Sequence, residues 1–301
     1  MKPTQSGKAP CNDIDIYYET FGQPKNSAIL LIMGLGAQSI LYGEHFIQPL
    51  VDAQYYVIRF DNRDIGLSTW MNDTWQKEKP YTLKDMATDT AGLLDYLNIP
   101  KAHIIGVSMG GMIAQELSLA FPDKVLSLTS IMSSGYVSSP ALVPFKQKLF
   151  MLSLPFLLKR IHIKHKMIEP EVSVDSFVEM YRRLAGKRFT YDAPHFRKVF
   201  TEGIEIRKGQ NPKGLYQQYC AIVASGSRLK FLHTIKVPTL IMHGTDDPLI
   251  PHIHSKIYAP LILQAKLVLL EGIGHELPKG ILPEVHDEIL ALVSNGEILK
   301  A

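Results

Sequence analysis

Along roughly the first 136 residues, short apolar runs alternate with stretches in helical spacing. The runs at 29–33 (ILLIM), 55–60 (YYVIRF), 103–107 (HIIGV) and 125–132 (VLSLTSIM) have the length and texture of strands buried on both faces. A parallel sheet covered by helices on each side requires such strands. Between them, residues 83–97 keep Leu83, Met86, Ala87, Leu93, Leu94 and Leu97 at helical spacing. Strand and helix in alternation predict an α/β chain. From Val137 to Leu232 the β-runs nearly vanish, and the segment reads as helices broken at Pro140, Pro155, Pro170, Pro194 and Pro212. Strand patterns return at 237–242 and 267–270, and 284–299 reads as a closing amphipathic helix. The expected architecture is a mostly parallel sheet flanked by helices, formed by 1–136 and 233–301, with 137–232 inserted as a helical cap.

Composition narrows the class without changing this picture. The chain has 301 residues, about two domain-lengths, although large α/β folds often run longer as one unit. With 46% hydrophobic and 20% charged residues it is neither a disordered chain, a collagen-like repeat nor a long coiled coil. Its formal net charge of +3 is spread among scattered Lys, Arg, Asp and Glu, so nucleic acid is not an expected partner. Cys11 and Cys220 are the two cysteines, and neither lies in a zinc-binding spacing; a disulfide framework is excluded. The first eighteen residues hold no apolar core for a signal peptide, which places the expected location in the reducing cytoplasm. The longest apolar stretch, 149–158, contains Pro155 and falls short of the roughly 20 residues a membrane span needs, so no integral membrane association is expected.

Candidate chemistry begins at Gly106-Val107-Ser108-Met109-Gly110, a G-x-S-x-G pattern. Chance alone would produce it in about one chain in ten of this length. Its setting is more informative, because the run HIIGV leads into it and MGGMIAQELSLAF, a helical pattern ended by Pro122, leads out. A serine on a sharp strand-to-helix turn is lifted clear of the sheet edge, and the new helix aims its free N–H groups at an oxygen that becomes negative during acyl transfer. The Met109 N–H is the first candidate oxyanion donor. After the run at 28–32, Met33-Gly34-Leu35-Gly36 forms a flexible turn that can present the Leu35 N–H as the second.

A serine hydroxyl needs a histidine to take its proton, and the histidine needs a carboxylate to hold its tautomer. Two loops near the carboxyl ends of late strands offer these groups: His243-Gly244-Thr245-Asp246-Asp247-Pro248 and Glu271-Gly272-Ile273-Gly274-His275. Of eleven histidines, only His275 stands in a Gly-flanked loop of this kind near the end. It lies 28 positions past Asp247, room for one helix and one strand. Asp247 is favoured over Asp246 as the orienting acid because it is the third residue after Gly244; Asp246 would then cap the turn.

Taken together, LIMGLGAQ, FDNRDIGLST, GVSMGGMIAQ, PTLIMHGTDDPLIP and EGIGHELP resemble the α/β-hydrolase superfamily, in particular the bacterial esterases similar to aclacinomycin methylesterase. The resemblance covers nearly the whole core in order. It implies the α/β-hydrolase fold and a Ser–Asp–His triad on Ser108, Asp247 and His275, with no metal or organic cofactor. Two positions depart from the pattern. Met33 stands where many members have His, and Asp64 stands where many have Gly; a local ion pair with Arg63 is the simple expectation for Asp64.

The function read from these residues is hydrolysis of a small apolar carboxylic ester through an acyl-enzyme on Ser108. The alternatives are another acyl bond (carbon–carbon, lactone or amide) cut by the same triad, or a non-catalytic ligand receptor on this fold. A histidine base must be neutral, so turnover should fall below about pH 6. The pairs His162/His165 and His252/His254 lack the company a metal needs and read as surface residues. The stretch 149–158, beside a basic run, reads as pocket lining rather than a membrane contact. Oligomeric state has no signature in the sequence.

Overall fold

The computed structural model describes residues 1–136 and 173–298. The expectations for Pro140, Pro155, Pro170, His162, His165 and the stretch 149–158 lie outside the described residues. Eight strands form one sheet: β1 (Gln5–Cys11), β2 (Ile14–Phe21), β3 (Ala28–Ile32), β4 (Tyr56–Phe60), β5 (Ala102–Val107), β6 (Val125–Ile131), β7 (Thr239–Gly244) and β8 (Ala265–Leu270). Their spatial order is β1-β2-β4-β3-β5-β6-β7-β8. From β4 to β8 every pairing is parallel, while β2 runs antiparallel to β4 and to β1.

The β1–β2 hairpin has no counterpart among the sequence-based expectations. Its two-residue turn is Asn12-Asp13, both at positive φ (48° and 65°), the backbone a tight hairpin favours and that Asn and Asp tolerate. Along Ile14 to Tyr18 the strand alternates buried and more exposed residues, the period-2 pattern of a half-covered antiparallel strand rather than the solid apolar run of β3.

Helices cover both faces. Leu30 and Ile32 of β3 pack in one cluster with Leu83, Met86 and Leu94 of α2 (Leu83–Tyr96) and with Ile113 and Leu117 of α3 (Met109–Ala120). Their alternates Ile29 and Leu31 pack in a second cluster with Ile47 and Leu50 of α1 (Glu44–Asp52), and with residues such as Val285 and Ile289 of the closing helix. The alternation of the strand thus divides one apolar run between two cores. Thr82 starts α2 with a reciprocal cap: its hydroxyl accepts the Asp85 N–H at 3.3 Å and its own N–H donates to the Asp85 carboxylate at 2.7 Å.

Between β6 and β7 the described residues form α4 (Val174–Leu184), α5 (Ala193–Phe200), a π-helical turn (Thr201–Ile206) and α6 (Gly214–Ser225). Pro194 does not break a helix but sits in the first turn of α5, where its missing N–H is no loss. Val174, Val178, Phe196 and Phe200 form a small core of their own. Two further helices are α7 (Ile253–Tyr258) and α8 (Leu282–Ile298). Among the described residues, no helix is long and apolar enough to cross a membrane.

Candidate active site

Strands β3, β5, β7 and β8 deliver the candidate residues to one edge of the sheet. Ser108 occupies the turn from β5 to α3 at φ 55° and ψ −121°, a backbone that a residue with a β-carbon adopts only when its surroundings enforce it. The enforcement is visible. Its N–H donates to the Ile131 carbonyl at 2.8 Å, and its carbonyl accepts the Gly111 N–H at 3.0 Å and the Ser133 hydroxyl at 2.7 Å. A β-carbon on Gly106 would overlap the Gly110 carbonyl, and one on Gly110 would overlap the Ile32 carbonyl. Both glycines of the G-x-S-x-G pattern are therefore contact points between strand and helix.

His275 follows β8, and its N–H donates to the carbonyl of Leu184 at the end of α4 at 2.7 Å. Its Nε2 faces Ser108 Oγ at 3.0 Å, and its Nδ1 faces Asp247 Oδ2 at 2.6 Å. A carboxylate accepts only, so the ring proton lies on Nδ1, leaving the Nε2 lone pair toward the hydroxyl. Ser108, Asp247 and His275, separated by as many as 167 positions, come together.

Asp247 is almost fully buried at 2% exposure and well provided with donors. Oδ1 accepts the N–H groups of Leu249 and Ile250, each at 2.8 Å. Oδ2 also lies 3.3 Å from Nε2 of His243, the last-but-one residue of β7. Burial alone would raise this carboxyl; the charge and hydrogen bond of His275 and the hydrogen bond of His243 outweigh it and hold Asp247 well below the ordinary carboxylate range. His243 Nε2 also faces the Ile250 carbonyl at 2.7 Å, which fixes its proton there, and its Nδ1 accepts from Ser255 Oγ at 2.5 Å. His243 was not singled out in the sequence, where it stands only as the residue before Gly244.

The oxyanion candidates lie beside Ser108. Met109 opens α3, and a β-carbon on Gly34, next to Leu35, would stand 3.2 Å from Ser108 Cβ. Among the described residues, neither the Leu35 nor the Met109 N–H has a hydrogen-bond partner. The loop is pinned from α6: Gln218 Oε1 accepts the Gly36 N–H at 2.8 Å, and Gln218 Nε2 donates to the Arg63 carbonyl at 2.7 Å. Ser108 and His275 open into a largely apolar cavity of about 960 Å³, whose walls include Met112, Phe196, Leu215 and Leu282.

Glu276, the neighbour of His275, also lines the cavity and is 7% exposed. Burial, reinforced by the nearby Asp192, pushes its carboxyl up to about 7. Its only sequence signal is adjacency to His275.

Three expectations are corrected. Asp64 does not pair with Arg63, whose guanidinium grips Asp89 in two hydrogen bonds of 2.6 and 2.7 Å. Instead Asp64 sits at φ 69°, a left-handed backbone that glycine adopts freely, and accepts the Met71 N–H at 2.6 Å. Asp246 does not cap the turn; its carboxylate lies 3.6 Å from Lys187 at the surface. His254 is not a surface residue: it is 2% exposed, stacked on Tyr136 and bonded to Ser134 Oγ at 2.7 Å, because α7 turns it inward. Among the described residues, no group of three or more His, Cys, Asp or Glu side chains could hold a metal.

Chemically, this arrangement can remove a proton from Ser108 and stabilise the resulting imidazolium with a buried carboxylate. Comparison with known proteins agrees in kind. A family model described as alpha/beta hydrolase fold matches residues 27–278. Rhodomycin D methylesterase of Streptomyces peucetius is 26% identical over 294 residues, covering 94% of each chain. The poly(3-hydroxyalkanoate) depolymerase of Ectopseudomonas oleovorans is 29% identical over 255 residues, covering 84% of this chain and 80% of its own. Among solved structures, a thermophilic esterase from Thermogutta terrifontis superposes with a TM-score of 0.72 at 19% identity, covering 96% of this chain and 99% of that one; at that identity it speaks for the fold alone.

Proposed function

The chain belongs to the alpha/beta-hydrolase fold family, and from that premise we propose that it is a serine hydrolase of small, largely apolar carboxylic esters. The observation that carries this reading is the continuous path from Ser108 Oγ through His275 to Asp247, at 3.0 and 2.6 Å, opening into an apolar cavity. Relatives named as a methylesterase and a poly(3-hydroxyalkanoate) depolymerase support this reading.

In this mechanism His275 Nε2 takes the Ser108 proton as Oγ attacks the ester carbonyl. The tetrahedral oxyanion is held by the N–H groups of Met109 and Leu35. The imidazolium returns the proton to the departing alkoxide, leaving an acyl-enzyme and free alcohol. Water, deprotonated by the same nitrogen, then releases the acid. Asp247 keeps the His275 tautomer and stabilises its charged form. The helices between β6 and β7 act as a cap over the acyl pocket.

Fluorophosphonate labelling tests this reading directly. Covalent capture at Ser108, with turnover of nitrophenyl esters that falls at least about 10⁴-fold in Ser108→Ala, is the expected result. A folded protein that neither labels nor turns over any ester would favour a ligand receptor on the same fold.

A further inference from the structure

Glu276 is not used in the mechanism above, yet it is buried in the wall of the cavity that Ser108 and His275 also line. Consecutive Cα atoms are about 3.8 Å apart, and Glu276 lines the same cavity as His275 and Ser108. Among the described residues, Oε2 is closed off from solvent and no donor reaches it. The groups around it are Tyr181 on α4 with Tyr191 and Asp192 just ahead of α5. Asp192 is engaged elsewhere: it accepts the His195 N–H at 3.0 Å and pairs with Lys279 at 3.3 Å. An ionised Glu276 would leave a negative oxygen without a donor in an apolar wall, close to a second carboxylate, a combination that burial strongly penalises. The neutral acid avoids both penalties. Protonation also changes what the group can do, because a carboxylate only accepts whereas a carboxylic acid donates.

Resting on the ester-hydrolase reading, we propose that Glu276 is a specificity-determining residue that, as a neutral acid, donates a hydrogen bond to an acceptor oxygen of the substrate. The enzyme therefore favours esters that carry an ether, keto or hydroxyl oxygen a few bonds from the scissile carbonyl over their all-carbon counterparts. The acid holds its proton up to about pH 7, so the preference fades at higher pH. His275, His195 and Lys279 also line the cavity; a titration that affects both substrates alike cancels when the two are compared on one enzyme, and a hydrogen bond donated by His195 or Lys279 would survive Glu276→Leu.

The test is a set of nitrophenyl esters in matched pairs, with one chain CH₂ replaced by oxygen at successive positions. The ratio of kcat/KM, oxa over all-carbon, is read at about pH 6 and about pH 8.5 in the wild type, Glu276→Gln and Glu276→Leu. At the best position the wild type should prefer the oxa ester about five- to tenfold at the lower pH and lose most of that preference at the higher. Glu276→Gln, whose amide still donates, should keep a preference that no longer depends on pH. Glu276→Leu should show only the intrinsic reactivity difference at both. No preference at any position, a wild-type preference that ignores pH, or one that survives Glu276→Leu overturns the proposal. So does selectivity for ammonium-bearing esters that grows with pH. The wild-type pH series stands without either variant. Fluorophosphonate labelling of Ser108 in the same preparation separates the two readings: labelling without discrimination overturns the role of Glu276 alone, whereas no labelling and no turnover overturns both.

Discussion

At Asp247 two histidines meet one carboxylate oxygen, and the shorter contact belongs to His275, at 2.6 Å against 3.3 Å for His243. Replacing the carboxylate by an amide would leave the volume unchanged and remove the charge that holds the His275 proton on Nδ1. Asp247→Asn should therefore lose about 10³- to 10⁴-fold in kcat with a smaller change in KM, measured on a nitrophenyl ester. Glu276 supplies the opposite electrostatic case. Its carboxyl is raised from 4.5 to about 7 in the fold, so the folded state binds the proton more tightly than the unfolded chain. That contribution is intact below about pH 4.5 and is lost as pH rises through about 7, at an upper figure of about 3 kcal/mol. Glu276→Gln removes the titration, so its Tm relative to wild type should improve by several degrees between about pH 5 and about pH 8. Equal shifts at both values would mean that the carboxyl is not held in its neutral form.

At the scale of elements, the strand–turn–helix unit β5–Ser108–α3 holds strained backbone at its turn. A serine at positive φ stores roughly 1–3 kcal/mol, held there by the Ile131 carbonyl, the Ser133 hydroxyl and two glycines that let backbones touch. Gly110→Ala places a methyl group where the Ile32 carbonyl stands, and backbone cannot swing aside as a flexible side chain would. Thermal unfolding should show a loss of roughly 1–3 kcal/mol, with activity reduced further because the Ser108 Oγ moves relative to His275. This unit was legible in the sequence: the apolar run, the glycine spacing and the helical pattern each reported a local requirement. The β1–β2 hairpin was not, although its Asn12-Asp13 turn and the alternation of Ile14 and Ile16 carry the signal. A half-covered strand gives only half the apolar density of a central one.

Across the whole molecule, the helices between β6 and β7 reach down to the core through a few buried polar contacts. Gln218 on α6 joins the Gly36 N–H to the Arg63 carbonyl, and Arg207 pairs with Asp61 at 3.1 Å. Gln218→Leu leaves two buried backbone groups without partners, at a cost of about 1–3 kcal/mol each. Because Gly36 adjoins Leu35, the variant should lose kcat by about tenfold or more while Ser108 still reacts with a fluorophosphonate. Unchanged kcat would show that the loop after β3 holds its shape without α6.

The sequence by itself determined the sheet's central strands and the helices that cover them, and it singled out Ser108, Asp247 and His275 as candidates, because each depends on spacing or turn chemistry within a short window. Tertiary structure alone decided that Arg63 pairs with Asp89 rather than with Asp64, that His243 joins His275 at Asp247, that His254 is buried, and that Glu276 is shut in beside Asp192. Ion pairing and carboxyl protonation are set by which charges and how much solvent surround a group once distant segments have packed, and no local pattern encodes that.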